Sequence, residues 1–167
     1  MTEPGAETIR LPEWERLPDL GLYMDQVVTL IDRLFSMRLP KGETTRSMVN
    51  NYVKSGLVPR PVGKKYDRDH LARLLMVCVL KQALSMEGIG RLLDALCEEG
   101  IRGGYERFRK RLEEIEEAFA AGRNDMNTEN EPAVERALSA AIMASLCTIH
   151  TYRVLESIQT PKKEGQK

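Results

Sequence analysis

The sequence predicts a mainly α-helical protein with extra helices at both ends and one short β-hairpin in its middle third. Three observations lead to this fold class. Apolar residues recur at helical spacing over most of the chain, and clusters of glycine and proline separate the periodic segments. One segment, residues 57–66, instead combines two prolines and a glycine with β-favouring residues at both of its ends. With 167 residues and 42% apolar composition, the chain is long enough to bury one core without disulfides.

The N-terminal part predicts an arm and then a helix. Residues 1–22 contain three prolines and show no helical period, so we expect an extended arm. Four of its residues are apolar enough for the arm to dock on another surface, namely Trp14, Leu17, Leu20 and Leu22. Residues 23–37 carry a wide apolar stripe that predicts a helix, which a Leu-Pro-Lys-Gly segment ends. This helix opens the unit 23–100, which we expect to contain the functional surface.

A short helix is predicted over residues 45–54 by a threonine cap and a glycine stop. Thr44 or Thr45 can accept a backbone hydrogen bond at its start, and Gly56 can end it in a left-handed conformation. With about 100° of rotation per residue, its apolar side chains fall within one arc. The opposite arc contains only polar and charged side chains, namely Arg46, Ser47, Asn50, Asn51 and Lys54. One face should therefore pack, while the other presents hydrogen-bonding groups.

Two further helices are predicted after the basic segment 57–66. Asp67 or Asp69 caps a helix that runs to about residue 84 and is so apolar that it must be buried on most sides. Ser85 opens the next helix, which the glycine-containing segment 100–104 ends. The predicted order is therefore helix, glycine stop, basic hairpin, buried helix and helix, in which the hairpin lies where a wing would lie beside the short helix.

A C-terminal extension, residues 104–158, is predicted to contain two helices separated by a polar loop over 122–132. The first helix has apolar residues at alternating spacings of three and four, namely Tyr105, Phe108, Leu112, Ile115 and Phe119. This narrow seam predicts a partner helix, which can belong to the same chain or to a second copy. An alanine-rich helix follows over 133–157, and residues 159–167 predict a frayed tail.

The net charge of zero conceals a segregation of charge along the chain. Residues 44–81 contain eight basic residues and only two acidic ones, Asp67 and Asp69. This segment therefore carries a charge of +6, and the rest of the chain carries −6. A local positive field of this kind favours an anionic partner even when the whole protein is neutral.

The sequence contains no catalytic pattern, so we expect no enzyme activity and no cofactor. The two histidines, His70 and His150, lie far apart, and there is no nucleophile motif, phosphate loop or paired-carboxylate pattern. His70 lies near a predicted helix start, which indicates a structural role. The glutamate-rich run 113–117 flanks an apolar seam and is typical of a solvated helix face rather than of a metal site.

Cysteine usage and hydropathy predict a cytoplasmic protein that does not enter a membrane. The cysteines, Cys78, Cys97 and Cys147, are odd in number and widely spaced in apolar surroundings, which predicts reduced core residues. Residues 1–10 lack the basic start and apolar run of a secretory signal. The longest apolar run, residues 74–80, is far shorter than the roughly 20 residues that span a bilayer.

The polar arc of the helix over 45–54 and the basic segment after it have the chemistry of a DNA-binding surface. A short helix fits into a major groove about 12 Å wide, where asparagine can pair with adenine and arginine with guanine. The cations that follow the helix would contact phosphates, and they are Arg60, Lys64, Lys65 and Arg68.

Three stretches of the sequence carry a family resemblance. Residues 51–59 (NYVKSGLVP), 65–71 (KYDRDHL) and 84–89 (LSMEGI) resemble the DNA-binding half of MerR-type transcription regulators. Over roughly residues 20–96 the chain is still more similar to an uncharacterised bacterial group, the domain-of-unknown-function family 1836, which has a MerR-like helix-turn-helix. The resemblance implies a winged helix-turn-helix fold and sequence-specific binding of double-stranded DNA in transcription regulation.

Three departures limit what the resemblance implies. The helix predicted before Thr44 is longer and more apolar than the first helix of MerR proteins. MerR proteins commonly have arginine and tyrosine where this chain has Asn50 and Asn51, so their contacts to the DNA backbone are not carried over. Their effector chemistry has no counterpart either, because no cysteine pair flanks a C-terminal helix here.

Two functions remain open from the sequence. The preferred one is a DNA-binding regulator that forms a homodimer through the apolar seam, the final helix or both. The alternative is a protein-interaction module on the same fold, whose basic face binds an acidic partner.

Overall fold

Within the residues that the structure describes, the regular secondary structure is entirely helical. The computed structural model describes residues 8–35, 38–39, 44–123 and 128–158. In these ranges six α-helices follow a 3₁₀ turn at Trp14–Arg16, and they are α1 (Met24–Phe35), α2 (Arg46–Lys54), α3 (Arg68–Leu80), α4 (Met86–Leu96), α5 (Ile101–Ala120) and α6 (Ala133–Ser157). The mainly helical prediction is therefore confirmed, but the prediction of a winged fold with a β-hairpin is wrong.

The segment 57–66 forms a tight turn with no strands on either side of it. Gly63 and Lys64 both have positive φ, of 57° and 61°, as in the two-residue turns that join hairpin strands. One bridge closes this turn, in which the Lys65 N–H donates to the Val62 carbonyl at 3.0 Å. The ladder ends there because the prolines just before Val62 have no N–H to donate. The pairing is therefore too short for the predicted hairpin.

The arm, residues 8–22, takes the place of a second strand beside this turn. Leu22 and Tyr66 exchange two backbone hydrogen bonds, each 2.8 Å long. Further back, the Ile9 N–H donates to the Glu116 carboxylate at 2.7 Å, and the Tyr105 hydroxyl donates to the Pro12 carbonyl at 2.7 Å. Four apolar side chains of the arm are buried, namely Ile9, Leu11, Trp14 and Leu17. Of the other two predicted docking residues, Leu22 is half-buried, but Leu20 is exposed, so the prediction is wrong for Leu20. The arm is therefore bound along α5 and reaches the basic turn at its other end.

Helix α3 lies at the centre of the core, with all its residues from His70 to Leu80 buried except Arg73. Helices α5 and α6 both pack against it, and α6 also packs against α4 and α5. The helix ends at Leu80 rather than near residue 84. A turn at residues 81–84 connects it to the Ser85 cap of α4. The prediction that this helix is buried on most sides is confirmed.

The predicted caps at three helix starts are confirmed. Thr45 accepts a hydrogen bond from the Met48 N–H, and Ser85 accepts one from the Gly88 N–H, each at 3.2 Å. Asp67 and His70 cap α3 reciprocally, since each side chain bonds the backbone N–H of the other residue. The structural role predicted for His70 is therefore confirmed.

The apolar seam of α5 is part of the intramolecular core. Its first four residues are buried, and α3 and α6 of the same chain pack against the helix. Helix α5 also begins at Ile101, so that Gly103 and Gly104 lie within its first turn rather than in a break. Gly100, with φ of 123°, marks the end of the preceding connection. A second copy cannot pack on this seam, because the chain itself covers it.

Helix α6 buries one side and exposes the other. Its buried residues include Leu138, Ile142 and Leu146, whereas Cys147 is exposed. The prediction of three core cysteines is therefore wrong for Cys147, although Cys78 is buried and Cys97 half-buried. By length and composition alone, α6 could also cross a membrane. The tail 159–167 and parts of four other predicted segments, at 1–7, 36–37, 40–43 and 124–127, lie outside the described residues.

We predict that alanine substitutions at two adjacent glycines of α5 have opposite effects. A Cβ on Gly104 would lie 2.5 Å from Cys97 Sγ and 2.9 Å from the Leu96 carbonyl oxygen. Gly104→Ala should therefore lower the free energy of unfolding by about 1–3 kcal/mol. Gly103→Ala meets no atom within 4 Å and should raise it by about 0.5–1 kcal/mol through helix propensity. Urea denaturation of both variants measures this, and equal effects would contradict the close approach of α5 to α4.

We also predict that Glu116 makes stability depend on pH. Burial raises the pKa of its carboxyl from 4.5 to about 6, although the Ile9 N–H and the nearby Arg153 lower it in part. The folded state thus binds the proton more tightly than the unfolded state, and stability falls as pH rises from 4.5 to 6. Glu116→Gln keeps an acceptor for Ile9 without the charge.

This variant should be more stable than the wild type by about 2 kcal/mol at neutral pH, since a pKa unit corresponds to about 1.4 kcal/mol. The gain should disappear below pH 4.5, where both side chains are neutral. Thermal unfolding as a function of pH measures the difference. Glu117→Gln, at an exposed position of the same helix, is the control. A gain that does not change with pH would exclude the carboxylate as its source.

Candidate nucleic-acid interface

Helix α2 presents its polar side to solvent. All five residues predicted for this face are exposed, namely Arg46, Ser47, Asn50, Asn51 and Lys54. Val49 and Tyr52, on the opposite side, are buried and attach the helix to the core. The start of α2 is fixed twice, by the Thr45 cap and by the Thr44 N–H, which donates to Asp32 of α1 at 2.8 Å. The predicted division of this helix into a packing arc and a polar arc is confirmed.

The basic turn, residues 57–66, follows directly from the end of α2. Gly56, with φ of 80°, ends the helix, and the Val58 N–H donates back to the Tyr52 carbonyl at 3.1 Å. Arg73 of α3 holds the base of the turn, since it donates both to the Leu57 carbonyl and, at 2.6 Å, to Asp94. Beyond this base the turn is exposed, including the predicted site residues Arg60, Lys64 and Lys65 and the apolar Val62, which is 82% exposed.

The first turn of α1 links the polar face of α2 to the basic turn. Arg46 forms an ion pair with Asp25, and Lys65 Nζ lies 5.4 Å from the centroid of the Tyr23 ring. Because Tyr23 and Asp25 are two residues apart, Arg46 and Lys65 lie at the same edge of the molecule. The exposed Tyr23 and Asp25 are members of this surface that sequence reasoning missed. Only the fold brings them there, since each lies roughly 20 to 40 positions along the chain from the residue that it contacts.

Arg68 differs from the other predicted site residues because its side chain contacts the arm. Its Nε donates to the Leu17 carbonyl at 3.0 Å, its Nη2 lies 3.7 Å from the Asp19 carboxylate, and its guanidinium lies 5.9 Å from the centroid of the Trp14 ring. The side chain is only 25% exposed. The structure therefore groups eight of the nine predicted residues on α2 and the basic turn, and it directs Arg68 to the arm.

The positive charge of the segment 44–81 is only partly presented to solvent. Five of its basic residues are exposed, all on α2 or the basic turn, whereas Arg68, Arg73 and Lys81 are half-buried. In the part of the chain that the structure describes, no cluster of three or more His, Cys, Asp or Glu residues could hold a metal ion. Apart from Tyr23, Val62 and the carboxylate of Asp25, the surface consists of hydrogen-bonding and cationic side chains.

Comparison with known proteins gives one match. The family model for DUF1836, a domain of unknown function, matches residues 12–119, which include most of the arm and helices α1 to α4 with nearly all of α5. No curated protein and no solved structure matches the chain. The match agrees with the resemblance of the sequence to family 1836 and covers well over half of the chain. The chain belongs to the DUF1836 family.

Proposed function

We propose that this protein binds double-stranded DNA with α2 and the basic turn and acts as a sequence-specific transcription regulator. One observation supports the proposal above all others. The five polar residues of α2 are exposed on one face, and the exposed cations of the basic turn extend that face at the edge marked by Arg46 and Lys65. Such a combination of base-reading and phosphate-binding groups is what duplex DNA requires.

The proposed roles follow from the chemistry of each side chain. Helix α2, with nine residues, is about 14 Å long, and its outer side can enter a major groove about 12 Å wide. Asn50 and Asn51 are suited to adenine edges, and Arg46 to guanine edges. Lys54 at the end of the helix and the cations of the basic turn would bind phosphates on either side of the groove.

In this proposal α1 and α2 act as a helix-turn-helix that resembles the MerR arrangement without its β-hairpin. Helix α1 packs against α2 and orients it through Asp32, as the first helix of such a pair does. The basic turn would contact phosphates as a rigid loop, since Arg73 and Leu22 fix both of its ends. The protein would act in the cytoplasm, without a cofactor and without catalysis.

The carboxylate of Asp25 lies within this surface and must be displaced from Arg46 when DNA binds. Both side chains of the pair are about two-thirds exposed. Exposed ion pairs contribute only about 0–1 kcal/mol, so a base or phosphate can replace Asp25 at little cost. The pair therefore orients Arg46 in the free protein without preventing the contact that we propose.

The first prediction from this proposal concerns salt. Each phosphate contact contributes about 0.9 to the slope of log K against log salt concentration, because bound cations release counterions. Changing Arg60, Lys64 and Lys65 together to alanine should lower the slope by about 2.7. Titration of a fluorescent duplex at several salt concentrations measures it.

A matched control replaces three exposed cations elsewhere, namely Lys110, Arg123 and Arg136. This control should keep the wild-type slope. If the wild type binds no duplex at low salt, the proposal is wrong. Binding of an acidic protein by the same cations would then support the protein-interaction alternative.

The second prediction separates base reading from nonspecific attraction. Asn50→Ala or Asn51→Ala should leave stability nearly unchanged, since both residues are exposed, and should remove about 1–3 kcal/mol of discrimination between a selected operator and a scrambled duplex. Lys64→Ala should weaken binding to both duplexes equally, because a phosphate contact carries no base information. Val49→Ala is the stability control. Because the Val49 side chain is buried, its truncation should lower the free energy of unfolding by about 1–3 kcal/mol. Parallel losses on both duplexes for the asparagine variants would exclude α2 as the reading element.

A further inference from the structure

The outer side of α6 carries a regular row of small and apolar residues. The row repeats at alternating spacings of four and three and consists of Ala133, Ala137, Ala140, Ala144, Cys147, Thr151, Val154 and Ile158. All eight residues are exposed. We refer to this row as the α6 stripe. A repeat of 3.5 residues on average keeps such a row facing a second helix along its whole length.

Nothing within the described part of the chain covers this side of α6. Between Arg136 and Arg153 the helix has no acidic or basic residue except His150, although solvent-facing helix sides are normally polar or charged. Only 39% of the most apolar part of α6 is buried within the protein. The apolar character of the helix therefore exceeds what packing within one chain accounts for.

A groove beside the α6 stripe extends this surface towards α4. It lies between α4 and α6 and has a volume of about 600 Å³. Four alanines of the stripe form part of one wall, and Gly88, Leu92 and Ala95 form part of the other. Arg91 at this wall is its one charged lining residue. The stripe and the groove thus form one continuous, shallow, apolar surface.

The chemistry of the surface fits a helix better than it fits a membrane. Small side chains let two helix axes approach closely, and the open groove receives larger side chains from the facing helix. A membrane-surface helix would instead present bulky apolar side chains with lysine and arginine along its polar side. Over its first four turns the stripe has no side chain larger than alanine, and it would gain little from lipid.

We infer that two copies of this chain form a homodimer by packing their α6 stripes together across a two-fold axis. In such a contact the same patch meets itself, so one row of small residues supplies both sides. A helix of 25 residues is about 37 Å long, and with the α4 wall the two copies bury on the order of 1,000 Å², where specific interfaces begin. The dimer deepens the proposed function and in that sense rests on it, because two α2 surfaces could then bind two half-sites of one DNA duplex. The observations that support the dimer itself do not involve DNA.

The test compares the oligomeric state of stripe variants in the absence of DNA. Sedimentation velocity of the full chain should show a dimer that dissociates on dilution. Ala140→Glu and Ala144→Glu should each weaken the dimer at least about tenfold, because they bury a charge in the contact. Ala120→Glu, at an exposed alanine of α5, should leave it unchanged. A wild type that is monomeric at every concentration, or a dimer that the stripe variants leave unchanged, would overturn the inference.

A measurement on the unaltered protein guards against variants that fail to fold. Cys147 lies within the stripe and is exposed, whereas Cys78 is buried and Cys97 half-buried. The rate at which a thiol reagent labels Cys147 should fall as protein concentration rises and the dimer covers it. A labelling rate that stays constant through dimerisation would place the interface elsewhere. Neither outcome depends on DNA binding, so failure of the proposed function and failure of the dimer can be distinguished.

Discussion

The enclosure of α3 is the constraint on which the rest of the structure depends. A helix with almost no exposed side needs packing partners all round, and α5 and α6 supply much of this cover. The same helix positions the candidate interface. Its N-terminal cap at Asp67 follows directly on the basic turn, and Arg73, one of its few polar residues, reaches out to the Leu57 carbonyl at the base of that turn. The apolar core therefore fixes a polar surface through two contacts at the edge of α3.

Elements determined by local chemistry could be predicted from the sequence. The caps at Thr45, Asp67 and Ser85 were recognisable because each depends on one side chain and a backbone N–H three residues further on. The stop at Gly56 was recognisable because glycine adopts a positive φ without strain. The hairpin prediction was wrong because two local signals in the same segment favour different structures. Its turn residues favour a hairpin, but the adjacent prolines cannot supply a ladder, and Tyr66 pairs with Leu22 instead. That pairing partner lies in a distant segment, which no local pattern can identify.

In the candidate interface, too, features set by local chemistry were predictable and features set by remote partners were not. Exposure of the polar face of α2 follows from helical periodicity, so Asn50, Asn51 and Lys54 were correctly placed. The environment of the arginines was not predictable, because their partners are remote in the sequence. Arg68 contacts the arm, and Arg46 pairs with Asp25 of α1. A charge count along the chain treats all cations alike, whereas the fold keeps five exposed and uses others, such as Arg73, to join its elements.

The two proposed surfaces also differ in how they relate to the family. The arm from Pro12 onward, α2 and the basic turn lie within the residues that the DUF1836 model matches, whereas α6 lies entirely beyond them. A DNA-contacting unit inside the matched segment would be a property of the family. The distance and orientation between two such units would instead be set by α6, outside that segment. Since half-site spacing follows the geometry of the dimer, two family members could share how a half-site is read and differ in how half-sites are spaced.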